Sequence, residues 1–453
     1  MKIVVVGAGY VGLTTSACLA ELGHEVTCCD IDGQRIAALQ GGVVPIYEPG
    51  LPELVAAQIE VGRLQFTTHT TKAASTADAV FLAVGTPSDE EGDIDLSFVD
   101  AAARAIAPHL KRDAVIVLKS TVVTGTARRV KGIVDTSRGR RDVAVASNPE
   151  FLREGSAISD FMQADRIVIG ADDARSEAVL REIYAPLEAR GIPVVATQTV
   201  NAELIKYAAN ALLALKIGFI NDVADLCERV GGDVTAVADG IGRDKRIGLS
   251  FLAAGPGFGG SCFPKDTRAF ASTGRRHGAP QPLIETLIEQ NEARKLGLAT
   301  RIIDTAPRKG RVAILGTSFK ANTDDVREAA ALTIVPLLQQ AGLSVHLHDP
   351  QPDGAKRLLQ DAVWHDTALS AASDADVVVI LTEWDEYRTL DLADLAQVMR
   401  GRDLLDYRNI IDAERAAAMG LNYQGLGRAP LAFEATRRGQ GIAAMPRVAA
   451  SPA

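Results

Sequence analysis

Gly259-Gly260-Ser261-Cys262-Phe263-Pro264-Lys265-Asp266 sets a thiol after two glycines, with a proline, a cation and a carboxylate just beyond it. Oxidising an alcohol needs a base for the hydroxyl proton and a stabiliser for the developing alkoxide, and neither has to be a thiol. A thiol becomes useful when oxidation continues to the acid. An aldehyde has no second hydride to give until a nucleophile adds to it. Thiolate addition yields a thiohemiacetal, which can lose hydride and leave a thioester for water to cleave. Pro264 suits the first turn of a helix through KDTRAFASTG, so Cys262 is expected at or just before its N-terminus. There the helix dipole and Lys265 are expected to lower the thiol pKa below about 8.5. Gly255, Gly257, Gly259 and Gly260 are read as letting the backbone approach a ligand. Cys18, Cys28, Cys29 and Cys227 fall in helical or strand patterns and read as packing residues.

A hydride acceptor is suggested at the opposite end of the chain. Residues 1–32 read as a strand (KIVVV), a glycine turn (GAGYVG), a helix (LTTSACLAELG) and a second strand (HEVTCCD). Gly7, Gly9 and Gly12 fit GxGxxG: the first permits the turn, the second admits pyrophosphate, and the third brings helix and strand together. Asp30 closes the second strand, where a carboxylate can bind a ribose 2′-hydroxyl, which favours NAD over NADP. Further apolar runs at 78–87 and 113–122 suit buried parallel strands, and their carboxyl ends carry Thr86 and Lys119-Ser120-Thr121. Ligands of open α/β sheets bind outside such ends, which makes Thr86 and Thr121 cofactor candidates.

The same plan returns at residue 311. RVAILG, then REAAALTIVPLLQQAG, then SVHLHDP ending in Asp349 repeat the order of the first half, and SDADVVVILTEW echoes STADAVFLAVGTP. This copy lacks GxGxxG and keeps only Gly316 before Thr317-Ser318-Phe319-Lys320, so it is expected to hold something other than a dinucleotide, with Lys320 and Arg408 meeting phosphates. The fold class is therefore α/β, two Rossmann-like doubly wound domains joined by a long central helix. That helix is expected over 200–230, roughly 45 Å at 1.5 Å per residue, and its apolar character suggests that it also buries a face against a second copy in a two-fold homodimer. Expected boundaries are 1–198 for the NAD-binding domain, 199–300 for the central region with the cysteine loop, 301–430 for the second nucleotide-type domain and 431–453 for a flexible tail.

Composition narrows the classes further. With 453 residues, 47% hydrophobic and 23% charged, the chain suits two or three packed domains of about 100 to 200 residues each. Five scattered cysteines suit a reducing cytoplasm better than a disulfide framework. The net charge of −9 argues against a nucleic-acid surface, and no apolar run approaches the roughly 18 residues of a membrane span. No ligand spacing suggests a metal; His346 and His348 share one side of an expected strand and read as ordinary strand histidines.

GAGYVG, VGTP, KSTV, NPEFLREG, ELIKYAAN, FGGSCFPKD, LGTSFKANTDDVREA and DYRN, in this order from residue 1 to about 430, closely resemble the UDP-glucose 6-dehydrogenases within the wider family that oxidises UDP- and GDP-linked sugars. The resemblance implies conversion of UDP-glucose to UDP-glucuronate with two NAD, through a cysteine thiohemiacetal and thioester. It implies Cys262 as nucleophile, Lys206 and Asn210 as oxyanion donors, Asp266 as orienter of a water acting as base, and Glu150 with Thr121 handling the hydrolytic water. Lys206 and Asn210 stand one helical turn apart on one face, so both can point at one oxygen. For NAD the resemblance adds Tyr10, Val11, Arg35, Glu154, Lys265 and Arg327 to the glycines, Asp30, Thr86 and Thr121. For the sugar nucleotide it implies Glu150, Phe151, Leu152, Arg153, Glu154, Lys206, Asn210, Phe251, Leu252, Ala253, Ala254, Gly255, Gly259 and Lys320, with Arg246 reaching the substrate of a neighbouring subunit. GDP-mannose and UDP-N-acetylmannosamine dehydrogenases of the same family are the alternatives, and a NAD-binding regulatory protein with a degenerate site is a remote one.

Overall fold

The structure is a computed structural model that describes residues 1–89 and 92–431, so the expected tail lies outside the described residues apart from Leu431. Two sheets organise it. The first has eight strands, β1 (Lys2–Val6), β2 (Glu25–Cys29), β3 (Leu64–Thr67), β4 (Ala79–Leu82), β5 (Val115–Leu118), β6 (Ala144–Ser147), β7 (Ile167–Gly170) and β8 (Val194–Thr197), in the order β3-β2-β1-β4-β5-β6-β7-β8. All neighbours are parallel except β6 and β7, which meet antiparallel through Ser147 and Gly170. The second has six parallel strands, β9 (Arg311–Leu315), β10 (Ser344–His348), β11 (Val363–Trp364), β12 (Val377–Ile380), β13 (Asp403–Asp406) and β14 (Asn422–Gly425), in the order β11-β10-β9-β12-β13-β14. In both, the chain turns back across its first strand, which leaves a crevice at the carboxyl ends of β1 and β4 and of β9 and β12. Central strands such as AVFL and VIVL are buried at every position, because helices cover both faces.

The two sheets repeat each other at the level of single contacts. Gly7 N–H donates to the carbonyl of Cys29, and Gly316 N–H donates to that of His348. Both glycines have positive φ, +105° and +96°, and a Cβ on either would collide with the end of the neighbouring strand, at Ala83 or at Thr382. Asp30 and Asp349 then follow at equivalent places.

The central helix, Thr199–Val230, runs unbroken for 32 residues and ends at Gly231 in the left-handed conformation that commonly terminates helices. Glu203 fastens it to the first sheet by accepting the N–H groups of Gly125 (2.6 Å) and Ala127 (2.7 Å), at the start of the helix that follows β5. The expected cysteine helix forms as Phe263–Arg276, with Pro264 in its first turn and Cys262 at its N-cap.

The glycines of the first turn differ in what they tolerate. A Cβ on Gly12 would lie 1.8 Å from the Gly7 carbonyl oxygen, whereas one on Gly9 meets nothing within 4 Å. Gly12→Ala is expected to lower unfolding free energy by more than about 2 kcal/mol and Gly9→Ala by less than about 1 kcal/mol, measured by urea denaturation.

Candidate active site

Cys262 sits where three segments meet: the central helix, the Asn148–Ala157 loop after β6, and its own glycine-rich loop. Lys206, on the buried face of the central helix, forms an ion pair with Glu150 at 2.9 Å, and both side chains are about 3% exposed. Glu150 also accepts the Leu152 N–H, a geometry that holds the carboxylate in place. Burial alone would raise the Glu150 pKa, but the Lys206 ammonium overcomes this and keeps it below its ordinary value. Burial would likewise lower that of Lys206, yet Glu150, Cys262 and Asp266 together keep it raised. One turn on, Asn210 donates its amide to Asp266 at 2.6 Å; Lys265 donates to the other Asp266 oxygen at 2.6 Å, and Asp266 is fully buried. The expected oxyanion pair and the expected water-orienting acid are thus gathered around the thiol.

The thiol itself differs from expectation. Its pKa is pushed up to about 11, first by burial and then by the nearby Glu150 charge, with Lys206 pulling the other way. Helix dipole and Lys265 do not win here, because Lys265 is turned to Asp266 and the sulfur is surrounded by protein. Two of the glycines of this loop are also required to be small by the protein itself. A Cβ on Gly259 would meet the Glu328 carbonyl at 2.5 Å and one on Gly260 the Phe319 ring at 2.7 Å, so their smallness lets the second nucleotide-type unit close over the cysteine loop. Gly260 N–H completes this seam by donating to the Arg327 carbonyl.

At the cofactor candidates, Thr86 donates to the Thr121 carbonyl at 3.0 Å, which joins the ends of β4 and β5. Asp30 accepts Ala8 N–H at 2.7 Å and lies 3.3 Å from Arg35, at the far side of the turn. Gly9 is the N-cap of the first helix (Tyr10–Glu21) and no side chain caps it, so its N-terminal N–H groups face open space between Gly7 and Gly12. That cradle, with Asp30 beyond it, fits a dinucleotide pyrophosphate and ribose. In the second unit the equivalent donors are already taken. Asp349 accepts the N–H groups of Thr317 (2.6 Å) and Ser318 (3.0 Å), which accounts physically for the loss of the second GxGxxG.

Other expected residues are placed as follows. Arg153 pairs with Asp160 at 2.6 Å, and Phe151 stacks beneath Arg166 at 3.8 Å with Lys206 at 5.4 Å on its ring. Arg408 binds the carbonyls of Leu381 and Phe319 and pairs with Glu383, and it lies beside Gly255. Lys320, over the Phe319 ring, has no salt-bridge partner among the described residues. Leu252 and Ala254 are buried, Ala253 is exposed, and Phe251 adopts φ +64°. Arg246 pairs with Asp244 in an exposed loop and does not join this chain's cysteine site. His346 is hydrogen-bonded to His365 at 2.8 Å and His348 to Tyr387 at 3.0 Å.

Several residues escape the sequence reading. Glu48 is buried and accepts from the Tyr10 hydroxyl, Gly155 N–H (2.6 Å) and Ala157 N–H (2.7 Å), tying the glycine turn to the Glu150 loop. Lys119 is buried, donates to Asn148 at 3.0 Å and has its pKa lowered to about 8 by burial, with Glu150 opposing the fall. Thr323 and Ser261 both donate to Glu154. Membership of a recognised motif is the only signal for Lys119, Ser261 and Thr323; Glu48 carries no local signal.

Two nucleotide-type units, a glycine-turn cradle for pyrophosphate and a half-buried cysteine flanked by a buried lysine–glutamate pair together make the framework of a dinucleotide-dependent dehydrogenase. Residues 1–188, 200–293 and 313–413 match, in order, the NAD binding, central and UDP binding domains of the UDP-glucose/GDP-mannose dehydrogenase family. UDP-glucose 6-dehydrogenase of Rhizobium meliloti (strain 1021) is 48% identical over 94% of this chain and 100% of its own length. UDP-glucose 6-dehydrogenase TuaD of Bacillus subtilis (strain 168) is 46% identical over 94% and 93%. Among solved structures, a UDP-glucose dehydrogenase from the archaeon Pyrobaculum islandicum superposes with a TM-score of 0.87 at 38% identity, over 94% of this chain and 98% of the other. The chain belongs to the UDP-glucose/GDP-mannose dehydrogenase family, as its motifs implied, and is an NAD-dependent dehydrogenase.

Removing one partner of a buried ion pair strands the other. Lys206→Met is expected to cost about 3–5 kcal/mol of stability at pH 7, with at least half recovered in Lys206→Met/Glu150→Gln. In the native protein the Glu150 contribution is present above its ordinary pKa of 4.5 and is lost as pH falls through its lower folded value, while that of Lys206 is present below 10.5 and lost as pH rises through its higher folded value. Because the stranded Glu150 can be neutralised by acid, the Lys206→Met deficit is expected to shrink from pH 7 to pH 4.5 in urea titrations.

Proposed function

We propose that the protein oxidises UDP-glucose to UDP-glucuronate in two successive steps on one site, with Cys262 holding the intermediate. The observation that carries this reading is the Cys262 thiol at a helix N-cap beside the buried Glu150–Lys206 pair. The similarity to UDP-glucose 6-dehydrogenases over nearly the whole chain favours glucose over the other sugars of the family.

Bound NAD supplies the hydride acceptor for both oxidations. It would be held by the turn of Gly7, Gly9 and Gly12, by Asp30 with Arg35, and by Thr86 and Thr121. The UDP moiety is assigned to the second unit, where the unpaired Lys320 faces phosphate and Arg408 braces the surrounding loop. In the first oxidation Asp266 orients a water that takes the hydroxyl proton, and Lys206 with Asn210 stabilises the alkoxide. Sulfur then adds to the aldehyde carbon, and the same ammonium meets the new oxyanion. The thioester left by the second oxidation is cleaved by a water that Glu150 and Thr121 position. Lys206 serves every oxyanion in the sequence, and for this it must stay charged in a nearly dry site, as Glu150 ensures.

The domain roles follow: residues 1–198 bind NAD, 199–300 carry the central helix and cysteine loop, and 301–430 bind UDP. Along the central helix Leu204, Leu212, Phe219, Leu226 and Val230 are exposed at spacings that keep them on one stripe. A two-fold homodimer along this stripe is part of the proposal, as is a cytoplasmic location; no helix among the described residues is long and apolar enough to cross a membrane.

The test is stoichiometry. With limiting UDP-glucose and excess NAD, absorbance at the NADH band is expected to plateau at about two NADH per sugar. A plateau at one would leave a simple alcohol dehydrogenase, and turnover of GDP-mannose or UDP-N-acetylmannosamine in preference to UDP-glucose would reassign the substrate.

A further inference from the structure

A thiol pushed up to about 11 poses a chemical problem, because thiolate is scarce near neutral pH unless a local group takes the proton. Glu150 cannot serve without surrendering its ion pair to Lys206, and both oxygens of Asp266 are already engaged. A third acid is connected to the sulfur. Ser261 Oγ lies 3.5 Å from Cys262 Sγ and donates to Glu154 Oε1 at 3.1 Å. A serine hydroxyl has one proton; while Glu154 is ionised that proton is directed at the carboxylate, so only lone pairs remain toward the sulfur and the thiol is the donor in that contact. The hydrogen bonds therefore run in one direction, from Cys262 through Ser261 to Glu154.

We propose that Ser261 relays the Cys262 thiol proton to Glu154, a role that rests on the reading of Cys262 as the nucleophile. The S–H bond breaks as a new O–H bond forms on Ser261, and the original Ser261 proton moves to Glu154 Oε1. The transfer runs as the sulfur forms its C–S bond to the aldehyde carbon: serine ends neutral and unchanged, Glu154 ends as the neutral acid, and no oxidation state changes. The negative charge given up by Glu154 thereby ends on the former carbonyl oxygen, within reach of the Lys206 ammonium. When hydrolysis frees the sulfur, the chain runs backwards: Glu154 donates to Ser261 and Ser261 to sulfur.

The surroundings suit a proton acceptor. Glu154 is pushed up to about 7, first by burial and then by Asp325, against Arg327 at 3.5 Å and the hydrogen bonds from Thr323 (3.0 Å) and Ser261. Lys320 and the Tyr10 phenol also feel its charge. The sulfur faces Glu150, Lys206 and Asp266, with Arg327 farther off. Thr323, Asp325 and Arg327 belong to the second nucleotide-type unit, so the acceptor is assembled only where that unit closes on the cysteine loop.

The experiment is the pH dependence of Cys262 alkylation by iodoacetamide in the full-length protein without substrate, with adducts on Cys262 counted by peptide mass spectrometry. The wild type is expected to show a shoulder near pH 7, where Glu154 becomes able to receive the proton, before the main rise toward pH 11. Ser261→Ala is expected to react at least about 10-fold more slowly at pH 8, the scale of one hydrogen bond to a charged group. Ser261→Thr, which keeps the hydroxyl, should stay within about 3-fold of the wild type, and Glu154→Gln should lose the shoulder. A Ser261→Ala curve that overlays the wild type, or a shoulder that persists in Glu154→Gln, overturns the relay. Acid production by Cys262→Ala would instead overturn the covalent reading, so the two failures are told apart.

Discussion

A lysine ammonium and a glutamate carboxylate, 2.9 Å apart and almost free of water, set the terms for the rest of the molecule. Neither charge could be buried alone at acceptable cost, and each keeps the other ionised. The pair also fixes geometry, because Lys206 belongs to the central helix and Glu150 to the loop after β6. Any rotation of that helix about its axis would separate them. Glu203, one turn earlier, clamps the same helix to the N-terminus of the helix after β5, and Asn210, one turn later, binds Asp266 on the cysteine helix. Three successive buried polar residues on one face thus lock the central helix to both halves of the site.

Two sheets with matching turns have been put to different uses by the placement of one carboxylate. In the first, Asp30 takes only the Ala8 N–H of the glycine turn and leaves the helix N-terminus beyond Gly9 without a side-chain cap. In the second, Asp349 reaches both Thr317 and Ser318 N–H groups, so the anion-binding donors of that turn are satisfied internally. The second unit supplies cations instead. Lys320 lies within the loop 319–328, whose Glu328 carbonyl packs against Gly259 and whose Phe319 ring packs against Gly260.

What could be read in the sequence follows the range of the interaction. Gly7, Gly9, Gly12 and Asp30 lie within one strand–helix–strand unit, and their spacing alone predicts the turn that forms. Pro264 likewise announces the helix start that puts Cys262 at an N-cap. The repeat was legible because strands buried on both faces read as apolar runs wherever they occur. Glu48 was not, since its partners Gly155 and Ala157 are more than 100 residues away. The direction of the Cys262 shift was missed for a related reason. A helix dipole can be inferred from local sequence, whereas desolvation and the Glu150 charge exist only after distant segments close around the sulfur. The glycines of the cysteine loop were legible as a need for small residues, but not as a seam against Phe319 and Glu328.

The central claim is that the substrate carbon becomes bonded to the Cys262 sulfur. The direct measurement is to mix the enzyme with UDP-glucose and NAD, quench in acid within milliseconds, and weigh the peptide that carries Cys262. The account predicts a hexuronyl-nucleotide adduct on that peptide, released by neutral hydroxylamine and absent without NAD. An unmodified Cys262 at every quench time, while UDP-glucuronate accumulates and a slowed Glu150→Gln variant traps nothing either, would contradict it.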